Sequence, residues 1–101
     1  SWQVAGVGDF NGNGTDDILW YNVSSGLLGQ FVMNNGIGSW AGIGWAATSW
    51  QIAGVGDYNG NGTDDILWHN ASTGQVGQFV MNNGVASWAG IGQMAANWVV
   101  V

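Results

Sequence analysis

The chain has no lysine, no arginine, no cysteine and no proline, and its acidic residues are six aspartates. Neutralising phosphates takes cations, so a nucleic-acid partner is close to excluded. Electrostatic docking on an anionic membrane surface fails for the same reason. The absence of cysteine removes disulfides and thiolate metal sites and leaves the redox compartment open. No apolar run approaches the ~20 residues of a membrane span, and no leader with a basic start is evident, so membrane insertion is not expected. Charged residues are 6% of the chain, against roughly 25% in an average soluble domain. Hydrophobic residues nevertheless reach 47%, so a core is available. Low charge with abundant Gly, Trp and Asn reads as an ordered, polar but neutral surface rather than as disorder.

With proline absent and 19 glycines among 101 residues, the turns must be glycine and asparagine turns. They punctuate a repeat. Trp2-Gln-Val-Ala-Gly-Val-Gly-Asp9 returns as Trp50-Gln-Ile-Ala-Gly-Val-Gly-Asp57, and Trp98-Val-Val-Val101 starts a third copy, a period of 48 residues. Segments 2–49 and 50–97 differ at 13 of 48 positions and agree at 35. Most differences are mild, such as Val4/Ile52 and Phe10/Tyr58. Natural tandem repeats usually drift further, which fits recent duplication or deliberate design.

Within each unit, short apolar segments alternate with turn clusters. Residues 2–8, 17–22, 27–34 and a glycine-rich 39–46 read as four strands, separated by Asn11-Gly-Asn-Gly14, Ser24-Ser-Gly26 and Asn34-Asn-Gly36. No stretch keeps a 3.6-residue period with caps, so helix is not expected. Four short strands in this length match one β-propeller blade, for which ~40–50 residues is usual. The expected fold is therefore all-β, with two four-stranded antiparallel propeller blades. Blade 1 covers 2–49 with a loop at 9–17, blade 2 covers 50–97 with a loop at 57–65, and 98–101 begins an extra first strand. Two blades leave two open faces, whereas closed propellers have typically 4–8. Homo-oligomerisation closes the ring, at six blades from a homotrimer or eight from a homotetramer.

All the acids lie in two segments, Asp9-Phe-Asn11-Gly-Asn13-Gly-Thr15-Asp16-Asp17 and Asp57-Tyr-Asn59-Gly-Asn61-Gly-Thr63-Asp64-Asp65. Side-chain oxygens at loop positions 1, 3, 5 and 9, with glycine at 6, follow the alternating ligand pattern of calcium loops. The expected ligands are the side chains of Asp9, Asn11, Asn13 and Asp17 with the Thr15 carbonyl. In the second loop they are Asp57, Asn59, Asn61 and Asp65 with the Thr63 carbonyl. Calcium is expected at about one ion per blade, since magnesium wants a stricter octahedron and zinc wants His or Cys. Two carboxylates per ion place the affinity at the weak, extracellular end, on the order of 10⁻⁵–10⁻³ M. Asp16 and Asp64 would add charge just outside the ligand ring. Plain polar hairpin turns would scatter acids over several turns; here one turn per repeat holds them all.

The run Gly8-Asp9-Phe10-Asn11-Gly12-Asn13-Gly14-Thr15-Asp16-Asp17-Ile18-Leu19-Trp20, preceded by Trp2-Gln-Val-Ala-Gly-Val, resembles the FG-GAP/VCBS-type repeat. That repeat is found in bacterial secreted proteins, integrin α-subunit propellers and some fungal propeller lectins. The resemblance implies a propeller blade with calcium in the loop joining its first two strands, in an extracellular or secreted setting. Asn13 and Asn61 stand where the family often has Asp, which bears on affinity. The family has no single activity.

Seven of the eight tryptophans recur at equivalent positions, as expected of rings that fill the space between blades. A second reading is a multivalent lectin, with sugar stacked on Trp40 and Trp88 beside Asn35 and Asn83 and avidity compensating weak contacts. An adhesion module of the integrin type is a third, against which the scarcity of charge argues mildly. Trp45 is replaced by Gln93 in the second unit and is not expected to be essential. His69 replaces Tyr21 and is expected as an exposed strand residue. With one His and no Cys or Lys, no nucleophile–base pair can be repeated per blade, and paired-carboxylate glycoside hydrolysis would have to use the loop's own acids. No enzymatic activity is expected.

Overall fold

The computed structural model describes residues 1–95; the third-repeat start at 98–101 and the end of the second unit lie outside them. The described residues form eight antiparallel strands: β1 (Trp2–Gly8), β2 (Asp17–Asn22), β3 (Leu27–Asn34), β4 (Ile37–Trp45), β5 (Trp50–Gly56), β6 (Asp65–Asn70), β7 (Gln75–Asn82) and β8 (Val85–Gln93). They make two four-stranded meanders, β1-β2-β3-β4 and β5-β6-β7-β8, with no helix among the described residues. An all-β chain of two repeated four-stranded sheets is thus what the sequence encodes.

The turns explain the register. Asn35 and Gly36 both have positive φ, 51° and 80°, as do Asn83 and Gly84 at 53° and 83°. This is the backbone of a two-residue type I′ hairpin, which Asn-Gly adopts at little cost. Asn34 therefore pairs directly with Ile37, and β4 starts two residues before the glycine-rich segment at 39. Between β2 and β3, the Asn22 side chain accepts the N–H groups of Ser24 and Ser25 at 3.0 and 3.2 Å. Gly26, at φ 78°, donates to the Asn22 carbonyl. Asn70 and Gly74 repeat this arrangement. Register shifts recur at Val4/Gly6 in β1, at Ile52/Gly54 in β5, and between β3 and β4 and between β7 and β8. Such bulges increase the local twist of the strands.

The two sheets stack front to back. Successive residues of a strand face opposite sides of the sheet. In the first sheet, Leu19 and Leu28 are buried together with Phe10; in the second, the buried residues are Ile66, Trp68 and Met81. Those three correspond to Ile18, Trp20 and Met33, on the opposite face of the repeat. One face of the first sheet therefore covers the other face of the second. Tyr21 meets Trp68 edge-on, with ring centroids 5.7 Å apart. At the inner edge β1 lies beside β5, and Gly6 and Gly8 leave a ledge that Val55 occupies. A Cβ on Gly6 would come within 2.9 Å of the Val55 side chain. The core is this junction, not the interior of either sheet.

Candidate functional sites: two acidic loops and an open aromatic face

Gly8 pairs with Asp17, so residues 9–16 form a loop closing the β1–β2 hairpin, and 57–64 do the same between β5 and β6. The loop wraps its first carboxylate. Asp9 Oδ1 accepts N–H bonds from Gly12 and Asn13 at 2.9 and 3.1 Å, and Oδ2 accepts one from Gly14 at 2.8 Å. Gly12 and Gly14 have positive φ, 75° and 84°, which lets the backbone turn its N–H groups inward. Asn11 Oδ1 accepts from Asn13 N–H and Asn13 Oδ1 from Thr15 N–H, at 3.3 and 2.9 Å. These are Asx turns, and they aim the oxygens of positions 3 and 5 at the loop's own backbone.

Asp17 stands apart. It is fully buried, and its carboxylate accepts the N–H groups of Phe10 at 3.2 Å and Met33 at 3.0 Å. It thereby ties the loop to β3. The second loop has the same arrangement: Asp57 accepts from Gly60, Asn61 and Gly62, Asn59 from Asn61, Asn61 from Thr63, and buried Asp65 from Tyr58 and Met81. Thr15 is exposed and Thr63 buried, the latter because its Oγ1 lies under Gly12 of the first loop.

These residues fit a hard cation. A carboxylate offers about four acceptor positions. Asp9 has three taken and Asp17 two, so both keep capacity for a cation, as do the Asn11 and Asn13 amide oxygens. Among the described residues, no three acidic or histidine side chains converge as a metal cluster. Each loop would place two carboxylates on an ion, with amide and backbone oxygens supplying the rest. With six aspartates and no Lys or Arg, the chain has almost no cationic side chain with which to offset its own acids. Tyr58, at the start of the second loop, feels that charge. Burial raises its phenol above the ordinary range, and Asp65 and Asp64 push it the same way.

Asp64 has a role the sequence did not reveal. Its carboxylate accepts the N–H of Asp9 at 2.9 Å, and its own N–H donates to the Asp9 carbonyl at 2.8 Å. The second acid of the Asp-Asp pair thus clasps one loop to the other across the sheet junction. Gly84 N–H donates to the Phe10 carbonyl beside it, at 3.1 Å. Two adjacent acids in each repeat, where the loop pattern uses one, was the available signal. Asp16, the counterpart of Asp64, is exposed.

The tryptophans divide. Trp68 is fully buried between the sheets, whereas Trp40 and Trp88 are each 50% exposed. On the outer face of the first sheet, Trp2, Trp40, Phe31 and Trp20 form a chain of edge-to-face contacts with centroids 5.2, 5.5 and 6.1 Å apart. Gly29 and Gly77 make room for the Trp40 and Trp88 rings, which would collide with a Cβ at either glycine. The hollow on this face is lined by the same four aromatic side chains. Asn35 and Asn83 sit in hairpin turns. Trp40 pairs with Phe31, three rungs from the Asn34–Ile37 pair, or about 10 Å along the strand. The register thus does not bring Asn35 beside Trp40. Trp45 contributes to a second hollow with Trp50, Phe79 and Trp88, while its counterpart Gln93 donates to the Thr73 carbonyl at 2.9 Å. His69 is 8% exposed, a correction to the expected exposed position; on β6 it is flanked by Gln51 and Val76 of the neighbouring strands.

No protein-family model, no curated protein and no solved structure matches the chain.

Proposed function

We propose that the chain is a non-enzymatic, calcium-binding β-propeller repeat protein that acts outside the cell as a self-assembling binding module. Each sheet is one blade, and three or four copies complete a ring of six or eight blades. The observation that carries the reading is the loop geometry. Both loops fold around one aspartate, turn two Asn oxygens inward, bury a second aspartate at the base, and together hold every acid of the chain. Asp9, Asn11, Asn13, Asp17 and the Thr15 carbonyl would hold one ion, and Asp57, Asn59, Asn61, Asp65 and the Thr63 carbonyl the other. Calcium then offsets the repulsion among clustered acids and stiffens the loop that the sheet junction rests on. It does no chemistry on a substrate.

A glycan ligand is the second reading, favoured by the half-exposed Trp40 and Trp88 rings. An all-aromatic hollow offers a stacking surface but no acceptor side chain, and only indole N–H donors, for sugar hydroxyls, so it suits an apolar protein face better. A glycan array in calcium and in chelator separates the two.

The calcium reading is tested by melting. An ion that binds the native state raises stability by mass action. At a calcium concentration about 100-fold above the dissociation constant, the melting temperature should rise by about 10 °C or more over that in chelator. An unchanged melting temperature at 10 mM calcium (roughly tenfold above the weakest expected constant) would contradict the reading.

A further inference from the structure

Six asparagines of the chain precede a glycine: Asn11, Asn13, Asn35, Asn59, Asn61 and Asn83. At such a step the backbone can react with its own side chain. The glycine nitrogen attacks the asparagine Cγ and a succinimide ring forms. The side-chain nitrogen leaves as ammonia, taking the proton that the glycine nitrogen gives up. Water then opens the ring, at Cγ to leave aspartate or at the main-chain carbonyl to leave isoaspartate. Glycine permits the attack because it has no Cβ to obstruct it and its backbone turns freely. An N–H held by an acceptor fixes the peptide plane, so the nitrogen cannot swing onto Cγ until that bond breaks.

Five of the six glycine N–H groups are held. Gly12 and Gly14 donate to the Asp9 carboxylate and Gly60 and Gly62 to that of Asp57, at 2.8 or 2.9 Å. Asn61 also has its leaving amide on the Met81 carbonyl, at 3.4 Å. Gly84 donates to the Phe10 carbonyl at 3.1 Å, because the first loop lies beside the second hairpin. Gly36 has no acceptor among the described residues, and the space around it is open, whereas Gly84 has the Gln30 amide close by. Asn35 and Asn83 otherwise match: both are exposed, with φ 51° and 53° in the same kind of turn. From this contrast we infer that Asn35 is a self-modification site, converting spontaneously to aspartate and isoaspartate while the other five asparagines are spared. Neither calcium nor assembly is needed for it. Either product adds a negative charge to a chain already at −6. Isoaspartate also adds a backbone carbon to the two-residue turn through which Asn34 pairs with Ile37, and so loosens the β3–β4 closure ahead of Trp40. Asp9 and Asp57 thereby gain a second task, the protection of the loop asparagines.

The experiment incubates the full chain in chelator, at high dilution and mildly alkaline pH, which favours loss of the glycine proton. Trypsin has no site in a chain without Lys or Arg, so chymotryptic peptides are weighed for the change from amide to acid, and an isoaspartyl methyltransferase marks the isoaspartate. The peptides through residues 35 and 83 differ in sequence and are followed separately; loop segments 11–20 and 59–68 are identical and are read together. Asn35 should convert about 2–10-fold faster than Asn83, the cost of first breaking one hydrogen bond, and at least about tenfold faster than the loop asparagines, whose bonds are to a charged acceptor. In urea, where every glycine N–H is released, the six rates should draw together. In Asp9→Ala, conversion in the loop peptide should rise, since Gly12 and Gly14 lose their acceptor. Equal conversion at 35 and 83 in the native chain, or a ranking that survives in urea, would overturn the assignment of Asn35. The comparison with urea needs no variant, so the test stays decisive if circular dichroism shows that Asp9→Ala does not fold.

Discussion

Replacing Asp65 with alanine should destabilise the chain by about 2–4 kcal/mol, since two N–H groups lose their partner, one buried, at about 1–3 kcal/mol, and one partly buried, at about 1 kcal/mol. Those groups belong to Tyr58 and Met81, and the Asp65 carboxylate accepts both, at 3.1 and 2.9 Å. Asp65 is wholly buried, as is Met81, so water cannot replace the lost bonds without opening the junction between the sheets. Native stabilities are about 5–15 kcal/mol, so this one change removes a large part of the total. Asp65→Asn keeps one acceptor oxygen and should lose less. Urea denaturation in chelator, where calcium plays no part, checks both; equal stability of the alanine variant and the wild type would contradict the role given to the carboxylate. In calcium the alanine variant falls further behind, because it also loses a proposed ligand.

The second large effect comes from applying one substitution at two equivalent places. Trp68→Ala should cost about 3–5 kcal/mol, the range for emptying a large buried aromatic site. Trp68 lies between Tyr21 of the first sheet and Phe79 of its own, at centroid distances of 5.7 and 5.6 Å. Trp20→Ala removes the same ring from the same point of the repeat, but among the described residues Trp20 meets one aromatic ring, Phe31, at 6.1 Å, and is only half-buried. At dilutions where copies separate, its cost should be clearly smaller. Under assembling conditions the two costs should converge, as Trp20 then gains a covering sheet. Denaturation at two protein concentrations measures this. Equal costs at high dilution would mean that the junction does not bury Trp68 as described.

The same contrast explains what was legible in the sequence. Strand number, order and most boundaries follow from the Gly and Asn punctuation. The start of β4 at Ile37 rather than 39 follows from the Asn35–Gly36 turn, whose two left-handed residues leave no room for a longer loop. The acids of the two loops could be read at their spacing because position in such a loop is a local property. Burial could not. Phe10 is completely buried and Tyr58, at the same place in the repeat, is 46% exposed, and nothing in either unit's pattern distinguishes them. What differs is whether a sheet lies on that face, and stacking order is not written in a repeat of near-identical units. For the same reason the spacing shows Asp64 only as extra charge near an ion and does not show which tryptophans are internal.

Cation binding by the two loops is tested most directly by a calorimetric titration of calcium into the chelator-stripped full chain. The expected result is two ions per chain with dissociation constants on the order of 10⁻⁵–10⁻³ M, falling to one ion in Asp9→Ala. A folded chain that takes up no calcium at millimolar concentrations would contradict it.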